Sequence, residues 1–272
     1  VIPILFGGRQ SPQKSLNDMW ALIPNSKNAS WSWQEISQDE KKVWPQARYR
    51  HACKDLGQGR LLILGGRDTS QVFEDAWIVK LGLVSSHSKV SVVSCTCVLK
   101  HNELKRFSHT VVSEESRIWI SGGYNDLNGQ HFCKNIVGIE IKDDSIVVAD
   151  VKPSSVARAS HVAAMIVGKK DMKKMILELG GCTESHDETF GSTINLDEMS
   201  KTRRSHHVLV SDSVSKNSVL VRSCSVLLKC SEDETLILLC IGGGGLLFNS
   251  SVWSRCYALR MSSALSSSSW KL

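Results

Sequence analysis

Arg48-Tyr49-Arg50-His51, then Arg60-Leu61-Leu62-Ile63-Leu64-Gly65-Gly66, then Glu74-Asp75-Ala76-Trp77: the order of these three elements decides the fold. Diglycines preceded by an apolar run stand at Gly7-Gly8, Gly65-Gly66, Gly122-Gly123, Gly180-Gly181 and Gly242-Gly243, at intervals of 58, 57, 58 and 62 residues. Upstream of them, Arg106-Phe107-Ser108-His109 and Arg158-Ala159-Ser160-His161 repeat the Arg-x-x-His pattern, and Arg222-Ser223-Cys224-Ser225 is a fourth copy without its His. Asp18-Met19-Trp20 and Asp75-Ala76-Trp77 follow the first two diglycines. Two registered elements recurring at one period are the mark of a repeat architecture.

The runs before the diglycines, Ile2–Phe6, Leu61–Leu64, Ile118–Ser121, Met175–Leu179 and Leu236–Ile241, are short, aliphatic and bounded by glycine or polar turns, which makes them strands. Ile136–Ile141 and Ile194–Leu196 stand as third strands in the repeats that lack the Trp. No long stripe of helical period competes. The chain therefore reads as all-β. A lone four-stranded sheet cannot bury both faces, whereas radial packing of several sheets can. In such an array Trp20 and Trp77, with Trp31 and Trp33, are expected to fill the space between neighbouring sheets. A group repeated at one position of every unit serves the scaffold. The recurrent Arg and His are accordingly expected to form hydrogen bonds between sheets, not a catalytic set.

The 272 residues suffice for a sizeable core, with 42% hydrophobic and 22% charged residues and a mean hydropathy of −0.11. The longest clean apolar run, Leu236–Ile241, is too short to cross a bilayer. The N-terminal residues show no signal peptide, and the first repeat enters at its second strand, so the chain is expected to be part of something longer. Nine cysteines, odd in number and without Cys-x-x-Cys, suggest free thiols in an intracellular, cytoplasmic setting and no structural zinc. The net charge of +6 is a mild basic excess compatible with an anionic partner.

Arg-x-x-His, an apolar strand, Gly-Gly, a third strand and a Trp resemble the kelch repeat. The resemblance implies a kelch-type β-propeller over 1–261, with five visible repeats of about 57–62 residues and a Ser-rich tail over 262–272. Two segments narrow it. Gly7-Gly8-Arg9-Gln10-Ser11-Pro12 is similar to the opening of a kelch blade in the leucine carboxyl methyltransferase 2-like, or tRNA wybutosine-synthesizing protein 4, family. Arg222–Leu228, Glu232–Thr235 and Leu236–Ile241 running into Gly242–Gly245 resemble that family's last blade, although Leu247–Ser251 keeps only one Phe of the family's following run.

The resemblance implies a propeller that accompanies an S-adenosylmethionine-dependent methyltransferase domain absent from this chain. That family makes wybutosine beside the anticodon of phenylalanine tRNA. This segment would then support the catalytic domain and present tRNA, binding no cofactor and no metal itself. Gly242–Gly245 sits at the diglycine position and opens no helix, and the acidic stretch Glu184–Glu188 reads as a solvated loop. Candidate phosphate contacts are loop clusters: Arg203 and Arg204, favoured because guanidinium planes also stack on bases, then Lys41 and Lys42, with Lys169-Lys170 and Lys173-Lys174 behind them. The competing expectation is a kelch protein–protein scaffold unrelated to RNA.

Overall fold

The computed structural model describes residues 2–25, 30–38, 43–84, 89–114, 116–153, 157–167, 174–184, 191–196, 203–209, 224–229, 236–241, 256–261 and 269–271. Among these, strands dominate and the helical content is one 3₁₀ turn, Asn102–Leu104.

The first sheet is formed by β1 (Ile4–Ser11), β2 (Lys14–Pro24) and β3 (Trp31–Glu35), in that order. The second, β4 (Ala52–Asp55), β5 (Arg60–Leu64), β6 (Asp75–Val84) and β7 (Lys89–Lys100), is an antiparallel meander containing the motif order that opened the sequence. The third, β8 (Thr110–Glu114), β9 (Arg117–Ser121), β10 (Asn135–Lys142) and β11 (Ser145–Pro153), repeats the same meander. β12 (Arg158–Ala159) precedes the fourth sheet, which is built on β13 (Val162–Val167) and β14 (Lys174–Leu179). β15 (Cys182–Thr183) pairs back with β12. β16 (Gly191–Asn195) and β17 (Arg203–Leu209) complete the antiparallel part of that sheet. The fifth comprises β18 (Cys224–Lys229), β19 (Leu236–Ile241) and β20 (Cys256–Met261). Within the Ser-rich tail, β21 (Ser269–Lys271) lies parallel to β17.

The strands form where the apolar runs lie because alternate residues must be buried. In β2, Met19, Ala21 and Ile23 are buried at period two. With Phe6 of β1 they pack on Ile63, Trp77, Val79 and Val90 of the second sheet. This core belongs to the first compact unit of the chain, Val1–Phe107 with Tyr124–His131 and Ile141–Val147. In the second unit, Val112, Trp119 and Ile136 of the third sheet pack on Ile176 and Leu196. Full burial of each aliphatic side chain contributes about 1.5–3 kcal/mol.

The recurrent Arg ties the repeats together twice over. Its backbone carbonyl accepts from the second glycine of the preceding repeat: Gly8 N–H to Arg48 O (2.9 Å), Gly66 to Arg106 (2.9 Å) and Gly123 to Arg158 (2.7 Å). Its guanidinium reaches the first glycine of its own repeat, from Arg48 to Gly65 O (2.9 Å) and from Arg158 to Gly180 O (3.0 Å). The recurrent His explains why the second glycine must be glycine. Gly66 has φ +91°, and a Cβ there would lie 2.7 Å from the Cβ of His51. His161 Nε2 stands 2.9 Å from Thr110 Oγ1 of the third sheet, the expected contact between sheets.

Candidate nucleic-acid interface

Three arginines gather at the turns of the first unit. Arg9 and Arg67 each follow a diglycine, and Arg50 is the third residue of an Arg-x-x-His turn. Arg50 adopts φ 55°, in the left-handed region, as do Ser108 and Ser160 at the same place in the next two repeats. Paired backbone hydrogen bonds, Tyr49 N–H to Arg67 O (2.9 Å) and Arg67 N–H to Tyr49 O (3.0 Å), lock the two turns side by side.

The locked turns turn Tyr49 into a hub. The guanidinium carbons of Arg9, Arg67 and Arg50 lie 5.1, 5.6 and 6.0 Å from its ring centre. Arg67 and Arg50 also lie 4.9 and 5.8 Å from the ring centre of Phe107. Both rings are buried, so they serve as a floor under the cations and are not open to stack a base. Each cation–π contact is worth about 0.5–1 kcal/mol and orients its guanidinium. Arg67 is fixed further by donating to Leu127 O (2.5 Å) and Asp68 O (3.0 Å). Among the described residues no carboxylate pairs with Arg9 or Arg67. Arg9 is exposed.

The structural arginines behave differently. Arg48, Arg106 and Arg158 are all buried, and Arg48 is held by both oxygens of Asp75. Beside the cationic turns, a cleft of about 580 Å³ carries both signs of charge, with Lys100 and Lys105 facing Glu74, Asp75 and Asp126, and Leu127 also in its wall. Leu127 joins the two features, since its carbonyl holds Arg67.

His51 carries no positive charge into this region. Burial foremost, and then the Arg48 guanidinium, pull its pKa down to about 4. Its Nδ1 is buried without a hydrogen-bond partner, and its ring meets Phe6 edge-on at 5.3 Å.

Arg203 and Arg204 are not in a loop. They begin β17, paired with Ile194 and Thr193 of β16, because the run into His206-His207-Val208-Leu209 extends the sheet. Lys41, Lys42, Lys169, Lys170 and Lys173 lie outside the described residues. Lys174 begins β14 and pairs with Glu114. Trp77 is buried as expected, but Trp31 and Trp33, on the outer strand β3, are 54% and 52% exposed and fill no core. Glu184 pairs with Lys134 at 2.7 Å, and the remainder of its acidic stretch lies outside the described residues. Among the described residues no group of His, Cys, Asp and Glu is arranged to hold a metal.

The cationic hub went unseen in the sequence because its members are far apart in the chain. Its signal was the Gly-Gly-Arg shared by the first two diglycines and replaced by Tyr124 and Cys182 in the next two.

Comparison with known proteins agrees with this architecture. A family model described as "tRNA wybutosine-synthesizing protein 4, beta-propeller" matches residues 3–249. The tRNA wybutosine-synthesizing protein 4 of Eremothecium gossypii is 38% identical over 69 residues, covering 25% of this chain and 9% of that protein. That of Neurospora crassa is 34% identical over 86 residues, 30% of this chain and 7% of that protein. The Rab9 effector protein with kelch motifs of Gallus gallus is 26% identical over 153 residues, 54% of this chain and 38% of that protein. The chain spans less than a tenth of the two fungal proteins it matches. Repeat, sheets and match converge on a kelch-type β-propeller, and the chain belongs to the tRNA wybutosine-synthesizing protein 4 β-propeller family.

Proposed function

We propose that this chain is the non-catalytic propeller of an S-adenosylmethionine-dependent tRNA methyltransferase of wybutosine biosynthesis, and that it supports the catalytic domain and presents phenylalanine tRNA. The observation that carries this reading is the family match over residues 3–249. The described part of the chain offers a scaffold whose recurrent Arg and His are consumed in packing. Its cofactor, S-adenosylmethionine, would be held by the partner methyltransferase domain. An intracellular setting accords with nine cysteines, odd in number and without Cys-x-x-Cys. No helix among the described residues is long and apolar enough to cross a membrane.

Fluorescence anisotropy with phenylalanine tRNA and an unrelated tRNA, at low and moderate salt, tests it. Tighter binding of phenylalanine tRNA, weakened by salt, is the expected result. Equal, weak binding of both tRNAs would favour a protein–protein scaffold. That second reading has its own support in the likeness to the kelch-motif Rab9 effector.

A further inference from the structure

We propose that Arg9, Arg50 and Arg67, arrayed over Tyr49 and Phe107, form a phosphate-binding site. The proposal rests on the tRNA reading for its preferred ligand, a phosphodiester of RNA. A free di- or polyphosphate offers the same chemistry.

Three observations carry it. First, the fold does not require these side chains. The scaffold's own positions recur in every repeat, as Arg48, Arg106 and Arg158 do, whereas the place of Arg50 is held by Ser108 and Ser160, and the places of Arg9 and Arg67 by Tyr124 and Cys182. Second, three like charges share one ring, 5.1–6.0 Å from its centre, and two of them have no carboxylate partner among the described residues. Like charges crowded in this way repel until a counter-anion is supplied. Third, the guanidiniums are pre-oriented, Arg67 by two backbone carbonyls and all three by an aromatic floor. A planar fork held in place loses little entropy when it closes on phosphate oxygens. The buried rings leave no open face for a base, so the site reads the backbone and not the sequence.

The test uses the 272-residue chain, a fluorescein-labelled anticodon stem-loop of phenylalanine tRNA, and unlabelled inorganic pyrophosphate. Arg9→Gln is the first variant, because Arg9 is exposed and gives up only its contact with the Tyr49 ring. Arg9→Gln/Arg50→Gln is the second, and Lys89→Gln, an exposed cation on β7, matches the charge change elsewhere. The proposal predicts that Arg9→Gln weakens RNA binding about tenfold and flattens the salt slope by about one. The double variant loses more, Lys89→Gln binds as the parent does, and pyrophosphate competes. If pyrophosphate binds the parent but not the double variant while RNA fails to bind, the phosphate site stands and the tRNA reading falls. RNA binding unchanged in affinity and salt slope in the double variant overturns the site and leaves the tRNA reading intact. Failure of both ligands to bind the parent overturns the site.

Discussion

Arg48 and Asp75 form a two-pronged ion pair, Nη1 to Oδ1 at 2.5 Å and Nη2 to Oδ2 at 3.0 Å, with the Arg48 side chain fully buried. Asp75 Oδ2 also accepts from Trp77 Nε1 at 2.7 Å, and Arg48 lies 4.1 Å over the Phe73 ring. One carboxylate thus joins the Arg-x-x-His turn to the acidic-x-Trp strand. In this repeat, where both elements are present, each completes the other. In the first repeat, where the preceding Arg-x-x-His is absent from the sequence, Trp20 Nε1 still donates to Asp18 at 2.8 Å.

Truncating Arg48 leaves Asp75 buried and unpaired. Arg48→Ala should lower stability by about 3–5 kcal/mol in urea denaturation, while Arg48→Met/Asp75→Leu, which removes both charges, should lose distinctly less. Equal losses would mean that the pair acts only through packing.

The second glycine of each diglycine offers a paired comparison. Gly66→Ala meets both an unfavourable φ of +91° and the His51 Cβ at 2.7 Å. Gly8→Ala meets φ +108° with nothing within 4 Å. Gly8→Ala should therefore cost about 1–2 kcal/mol and Gly66→Ala clearly more, as read from thermal unfolding.

His51 makes stability depend on pH with a definite sign. Its pKa falls from an ordinary 6.5 to about 4 in the folded chain, so the folded state disfavours the proton. The stability it contributes is complete above about 6.5 and is lost as pH falls from there toward 4, by about 3 kcal/mol at most. Denaturation midpoints from pH 7 to pH 4 should fall more steeply for the parent than for His51→Gln. Parallel curves would remove His51 as the cause.

Trp77 and the pair Trp31 and Trp33 separate burial from mere aromaticity. Trp77→Ala should cost about 3–5 kcal/mol, because its side chain lies in the core between the first two sheets. Trp31→Ser and Trp33→Ser should each cost under about 1 kcal/mol. A large loss for either would show that β3 is covered in solution.

These contrasts also show what the sequence could reveal. The diglycine period placed β5, β9, β14 and β19, and the third strands β10 and β16 fell over or beside the runs expected of them, because strand burial follows local alternation. It did not reveal that β3 would present Trp31 and Trp33 outward, since composition does not say which face of an outer strand is covered. Nor did it reveal the hub at Tyr49. Reading neighbours along the chain favoured Arg203 and Arg204, which β17 takes into a sheet, whereas Arg9, Arg50 and Arg67 meet only through turns from two repeats. Repetition identifies the scaffold, and a break in repetition identifies what the scaffold carries.

Ultraviolet cross-linking of phenylalanine tRNA to the chain, followed by mass spectrometry of the attached peptides, tests the account most directly. The predicted result is cross-links on peptides containing Arg9, Tyr49 to Arg50, or Arg67, suppressed by pyrophosphate. Cross-links confined to peptides without these residues, or indifferent to pyrophosphate, would contradict it.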